Sequence, residues 1–211
     1  WIKGESWEST EFKSSGDFPV FDYQGSLADQ LARFKASDIL VRGGGMANTS
    51  AHGFRFSWAN KPLLKNIQFR SCRHCVDAEY TIDISMDYVF AEGQSTDQNH
   101  TGLFLGEIDE VTYGTVDNTQ ILSNISFRQM DYAGVRVEGS TGMKATNVAC
   151  LNGDYGWYFG EPPLGANARL IRFLHLTNCF SDTNNLFGWR FAKGASAKIR
   201  DLKMNSCWAG S

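Results

Sequence analysis

Apolar residues recur along this chain in a short pattern: a glycine, then apolar, variable, apolar. Gly53-Phe54-Arg55-Phe56, Gly102-Leu103-Phe104-Leu105, Gly134-Val135-Arg136-Val137, Gly156-Trp157-Tyr158-Phe159 and Gly188-Trp189-Arg190-Phe191 all carry it. Tyr80-Thr81-Ile82 is a weaker copy without the glycine. Two copies extend further, Asp131-Tyr132 through Glu138 and Asp154-Tyr155 through Glu161, each with an Asp-Tyr lead-in and a trailing glutamate. Alternation of this kind predicts short strands with one buried face. The first apolar positions, 54, 80, 103, 135, 157 and 189, are separated by 22 to 32 residues. Repeats of roughly 20–50 residues predict a stacked array, because one unit alone cannot bury its apolar face.

A second pattern follows the first in most units. Ile67-Gln68-Phe69-Arg70-Ser71-Cys72, Leu174-His175-Leu176-Thr177-Asn178-Cys179 and Leu202-Lys203-Met204-Asn205-Ser206-Cys207 share alternating apolar positions and a closing cysteine. Ile125 to Met130 has methionine in that place, and Ala145 to Cys150 is a looser copy. Free cysteine packs as a small hydrophobe, so a stacked interior column of sulfur side chains is expected rather than a disulfide framework. Cys72-Arg73-His74-Cys75 has redox or zinc spacing, but no second such pair accompanies it, and no metal or cofactor is expected.

Elsewhere the pattern is less regular. Ser26 to Phe34 has apolar residues at helical spacing behind a capping serine and predicts a short helix. Ser37 to Arg42 predicts a strand ending at Gly43-Gly44-Gly45, and Tyr80 to Tyr88 a half-buried strand with Thr81, Asp83, Ser85 and Asp87 on the wet face. Ala91 to His100 predicts a polar loop. The organisation expected is an irregular lead-in over residues 1–38 and coils over residues 39–211. Trp1 in place of an initiating methionine suggests a piece of a longer polypeptide.

Composition narrows the function classes. A net charge of −3, from 20 basic and 23 acidic residues, gives no general attraction to nucleic acid or to an anionic membrane. No apolar run approaches the roughly 18 residues of a membrane span.

Leucine-rich repeats would show regular leucine spacing and helical repeats a 3.6-residue period; neither is present. Short strands, coil-length steps and stacked like residues instead resemble the right-handed parallel β-helices of the pectate-lyase-like superfamily, especially bacteriophage tailspike depolymerases. The resemblance covers about Ile39 to Trp208 and includes no diagnostic catalytic motif, so it operates at the level of fold. It implies an all-β, right-handed parallel β-helix and a homotrimeric virion tail protein, extracellular in action, that binds and cleaves bacterial surface polysaccharide. A non-enzymatic adhesin of the same fold, a polysaccharide lyase and a secreted pectinase-like enzyme remain open.

On a β-helix the variable residues point outward, as a column of Arg55, Thr81, Phe104, Arg136, Tyr158 and Arg190. Arginine offers bidentate binding to carboxylates and aromatic rings a face for sugars. Arg136, Tyr158, Arg190, Tyr132 and Tyr155 are therefore the substrate-binding candidates. Glycoside hydrolysis needs two carboxyl groups, about 5–5.5 Å apart for retention and 6.5–9.5 Å for inversion. Asp154, Glu161, Asp131 and Glu138, on coils stacked about 5 Å apart, are the catalytic candidates. For a lyase, His175 and His100 are candidate bases.

Overall fold

A computed structural model describes residues 1–26, 31–93, 98–106, 119–140, 142–160, 170–192 and 198–210. The chain is a parallel β-helix. Each coil runs from a strand in a large, eleven-stranded sheet to a strand in a small, seven-stranded sheet. After β1 (Ile2–Lys3), β2 (Glu11–Lys13), β3 (Phe21–Gln24) and β4 (Leu31–Ala32), the alternation is regular. β5 (Lys35–Arg42) leads to β6 (Phe54–Ser57), and after β7 (Ala59–Asn60), β8 (Leu63–Arg70) leads to β9 (His74–Glu79). β10 (Ser85–Glu92) leads to β11 (Asn99–Leu105), β12 (Thr119–Arg128) to β13 (Met130–Val137), and β14 (Gly142–Leu151) to β15 (Tyr155–Gly160). β16 (Leu170–Thr177) and β17 (Phe180–Asp182) lead to β18 (Phe187–Ala192), followed by β19 (Lys198–Asn205) and β20 (Trp208–Ala209).

Like stacks on like. The glycine-led units all lie in the small sheet, in the order β18-β15-β13-β11-β9-β6-β3, where β9 and β3 join them without a glycine. Their apolar positions align in register, Phe54 with Val76, Val76 with Leu103, Leu103 with Val135, and Val135 with Trp157. All five are fully buried. The second pattern forms the core of the large sheet, where Ile39, Ile67, Val89, Ile125 and Val148 make an interior column. Removing a side chain as large as Trp157 or Phe127 from such a core costs about 3–5 kcal/mol.

The glycine in the motif is a packing requirement. A Cβ on Gly102 would stand 2.5 Å from Phe127 Cγ, and one on Gly134 2.5 Å from Cys150 Sγ. The third coil reverses the arrangement. Between the pairs Thr101–His74 and Leu103–Val76, Cys75 occupies the glycine's place. The residue of the large-sheet strand that follows, β10, in register with Phe69 and Phe127, is the small Ala91. Cys75 is fully buried. A large residue thus faces a glycine in one coil, and a small residue faces a larger one in the next, which conserves volume.

This reversal corrects the reading of Tyr80-Thr81-Ile82 as a copy of the repeat; the true copy is Cys75-Val76-Asp77-Ala78. Tyr80 and Asp83 have positive φ, 48° and 54°, and Thr81 is buried with its hydroxyl donating to the Glu79 carbonyl. The strand predicted over Tyr80–Tyr88 therefore begins only at Ser85.

Two further expectations change. Leu31–Ala32, in the predicted helix, is a strand paired with Ala59–Asn60, and Arg33 has φ 67°; Leu27–Gln30 lie outside the described residues. Pairing with a neighbouring strand has overridden local helix propensity. Among the described residues there is no helix, hence none long and apolar enough to cross a membrane. The five cysteines are all free, and Cys72, Cys75, Cys150 and Cys179 are fully buried. They do not form a single column, however. Cys150 is in register with Phe127, whereas Cys179 falls beside Val148, between the Thr146–Thr177 and Ala149–Phe180 pairs.

Each long strand of the large sheet is bent at one residue of positive φ. Asp38, Asn66, Tyr88, Asn124 and Asn147 hold that place in β5 to β14, with Phe173 in β16 and Asp201 in β19, at φ between 52° and 59°; Asn178, φ 49°, lies just past β16 beside Asn147. Asparagine and aspartate tolerate this region best among residues with a Cβ. Their side chains bond along the stack, Asn66 to Asp38 at 2.8 Å, Asn147 to Asn124 at 3.2 Å and Asn178 to Asn147 at 3.4 Å.

Candidate functional site on the outer face of the small sheet

Register fixes which side chains share the outer face. One column runs Asp22, Arg55, Asp77, Phe104, Arg136, Tyr158, Arg190. It is the column expected from the sequence with Asp77 in place of Thr81. Beside it the residues just before the motif form a ladder of rings across successive coils. His52 and His74 have centroids 4.8 Å apart, His74 and His100 6.1 Å, and His100 stacks on Tyr132 at 5.3 Å. Tyr132 and Tyr155 follow at 5.1 Å, then Tyr155 and Phe187 at 6.2 Å. Three of the chain's 4 histidines lie in this ladder. The sequence signal is present but faint: an aromatic or imidazole ring stands one or two residues ahead of each small residue of the motif.

Burial dominates the electrostatics at the histidine end. It pushes His52 down to about 4, with the Asp77 carboxylate acting the other way, and His74 down to about 3, with Arg73 and Arg136 adding to the effect. His100 falls to about 3, again chiefly through burial, although Asp154 favours its charged form. Asp77, 5% exposed, is raised by burial. The His52 Nε2–Asp77 Oδ2 contact at 3.3 Å therefore sets a neutral imidazole against a carboxylate. Burial also raises Tyr132.

At the other end the arginines are caged. The Arg136 guanidinium lies 5.1 Å from the Phe104 ring centroid, 5.4 Å from Tyr132 and 5.9 Å from Tyr158, and it pairs with Glu138. Arg190 lies 5.2 Å from Tyr155, 5.3 Å from Tyr158 and 5.8 Å from Phe187, and donates to the Tyr155 hydroxyl at 2.8 Å. Tyr155 and Tyr158 retain only 8% exposure and form a floor, whereas Phe187, 54% exposed, offers a ring face to a ligand.

The four candidate carboxylates divide. Asp131 and Asp154 come together at the edge of the small sheet where its strands begin. They share a polar cleft of about 410 Å³ with Gln98, Gln129, Asn152 and Asn185. Asp131 is exposed and Asp154 half-buried; Asp154 Oδ1 accepts from Asn185 Nδ2 at 3.1 Å. Ala133 pairs with Tyr155, so the two acids stand on adjacent coils, offset by one residue. Glu138 follows the far end of β13, buried and bound to Arg136. Seven residues of strand, about 23 Å, separate it from Asp131. Glu161 lies outside the described residues. His100 is close enough for the Asp154 charge to be felt, and it joins the cleft to the ring ladder. His175 is exposed on the large sheet, in register with Lys144 and Lys203.

No protein-family model matches the chain, and no curated protein or solved structure matches it either. What the site can do follows from its own geometry: a paired-carboxylate cleft at the end of a ring-lined face suits a neutral or anionic polyhydroxylated chain laid along the helix axis.

Proposed function

We propose that this chain is a β-helical segment of a spike protein that binds a bacterial surface polysaccharide and hydrolyses it. The sugar chain lies along the outer face of the small sheet, with Phe187 and Tyr132 against its rings and Arg136 and Arg190 supplying positive potential. The observation that carries this reading is the joint placement of Asp131 and Asp154 in one cleft beside that face. Adjacent coils rise about 4.8 Å, close to the carboxyl separation of about 5–5.5 Å in retaining glycosidases. One carboxyl group protonates the glycosidic oxygen while the other attacks the anomeric carbon. Water then releases the sugar as the first group takes back a proton.

The coil pattern, the resemblance to pectate-lyase-like tailspikes and the exposed apolar residues of the large sheet support a phage tail protein acting as a homotrimer. Tyr88, Phe90, Ile121 and Phe173 are 42–50% exposed, and a trimer packed on that sheet would cover them. A lyase is the second reading, favoured by His100, kept neutral by burial and stacked on Tyr132 beside Asp154. There the imidazole would take the proton next to a uronate carboxylate.

Incubation of the full-length protein with capsular and O-antigen polysaccharides, followed by typing of the product ends, tests the proposal. Hydrolysis yields new reducing ends, lost about 100-fold or more in Asp154→Asn. Unsaturated ends would assign the lyase, and binding without new ends an adhesin. Turnover within twofold of wild type in Asp154→Asn would remove the carboxylate assignment.

A further inference from the structure

Three side chains at the other end of the ladder have no part in that chemistry. His52 leads into β6, His74 opens β9, and Asp77 stands in β9 opposite Arg55. Parallel pairing brings them together: the Gly53 N–H donates to the His74 carbonyl at 2.9 Å, which sets His52 against His74. His52 Nε2 lies 3.3 Å and His74 Nδ1 3.9 Å from the same Asp77 oxygen, and the three ligand atoms lie within 4.8 Å of one another. His52 Nδ1, His74 Nδ1 and Asp77 Oδ1 are buried without a hydrogen-bond partner. Leaving such groups unsatisfied is costly, and a ligand that bonds them relieves the cost.

We propose that His52, His74 and Asp77 bind one divalent transition-metal ion of the zinc class, with a coordination position left open toward the outer face. Two imidazoles and one carboxylate are the ligand set of zinc and its neighbours, whereas calcium and magnesium demand mostly oxygen. Two ligands at about 2.0–2.1 Å from a tetrahedral ion stand about 3.3 Å apart, the separation His52 and Asp77 already have. His74 Nδ1, 3.9 Å from the same Asp77 oxygen, must move closer to share the ion. Arg55, in register with Asp77, and Arg73 and Arg136, whose charges reach His74, oppose a second positive charge. They lower the affinity and favour an anionic group at the open position. The site is independent of the glycosidase reading.

The test is titration of chelator-treated full-length chain with zinc chloride by calorimetry, with calcium chloride as the hard-ion control and cobalt(II) as a spectroscopic probe. One equivalent of zinc binds and calcium does not. His52→Gln and Asp77→Asn each weaken binding at least tenfold, and Arg55→Gln strengthens it. Cys207→Ser and His175→Gln, which remove the partly exposed thiol and the fourth histidine, leave it unchanged. Cobalt absorption from nitrogen and oxygen ligands, without a thiolate charge-transfer band, gives the same answer in the unmutated chain should a variant fail to fold. Absence of saturable zinc binding, a thiolate band, or binding that survives Asp77→Asn and disappears with Cys207 or His175 overturns the proposal.

Discussion

The two ends of the outer ladder are built by the same coil stacking and balanced in opposite ways. At the β13–β18 end the two guanidiniums are held: Arg136 and Arg190 by rings, Glu138 and the Tyr155 hydroxyl, although the Arg136 Nε is buried without a hydrogen bond. The acids there open to a cleft. At the β6–β9 end His52 and Asp77 are buried and His74 half-buried, with polar atoms left over, and burial has pushed all three toward their neutral forms. A satisfied face holds its shape without a ligand; an unsatisfied one stores a cost that a ligand can relieve. The difference separates a surface suited to reading a long polymer from a pocket suited to a single ion.

Acid exposes this contrast most strongly. His52, His74 and His100 stay neutral in the folded chain down to about 4, 3 and 3, whereas the unfolded chain protonates near 6.5. Their contribution to stability is complete above pH 6.5 and is lost as pH falls toward 4, because the unfolded state binds more protons. Asp77, raised by burial, runs the other way, its contribution present at low pH and lost as pH rises. Urea denaturation of chelator-treated protein should show a net loss of about 2–4 kcal/mol between pH 7 and 5, with allowance for partial exposure. A flat profile would mean that these imidazoles are not held neutral in solution.

Core packing comes next. Ala91→Phe places a ring where the third coil already carries Cys75, at a cost of about 1–3 kcal/mol from overpacking. Cys75→Gly restores the glycine of the other coils and should recover most of that loss in the double variant, measured by thermal or urea unfolding. Independent, additive losses would disprove the register. The smallest effect belongs to the satisfied end. Arg190→Lys keeps the charge but weakens the ring contacts and the Tyr155 bond, costing about 0.5–1 kcal/mol in stability and a few-fold in saccharide affinity.

The repeat reading found the parallel stack because a coil needs like residues over like residues, and the Gly-apolar-x-apolar units carry that demand openly. It failed at the third coil because the demand there is on combined volume. Cys75 with Ala91 fills the space of a glycine with Phe127, and a motif search sees only one partner. The helix expected near Ser26 gave way at Leu31–Ala32 for a similar reason: a two-residue strand is set by its neighbour Ala59–Asn60.

By itself the sequence determined the all-β coil architecture, the buried free thiols and most of the outward column, since alternation and composition act within a few residues. Only the tertiary structure decided that Asp131 and Asp154 share one cleft while Glu138 lies at the opposite edge, and that His52, His74 and Asp77 converge. Those groupings depend on which residues of different coils come into register, and that is fixed by packing across the core.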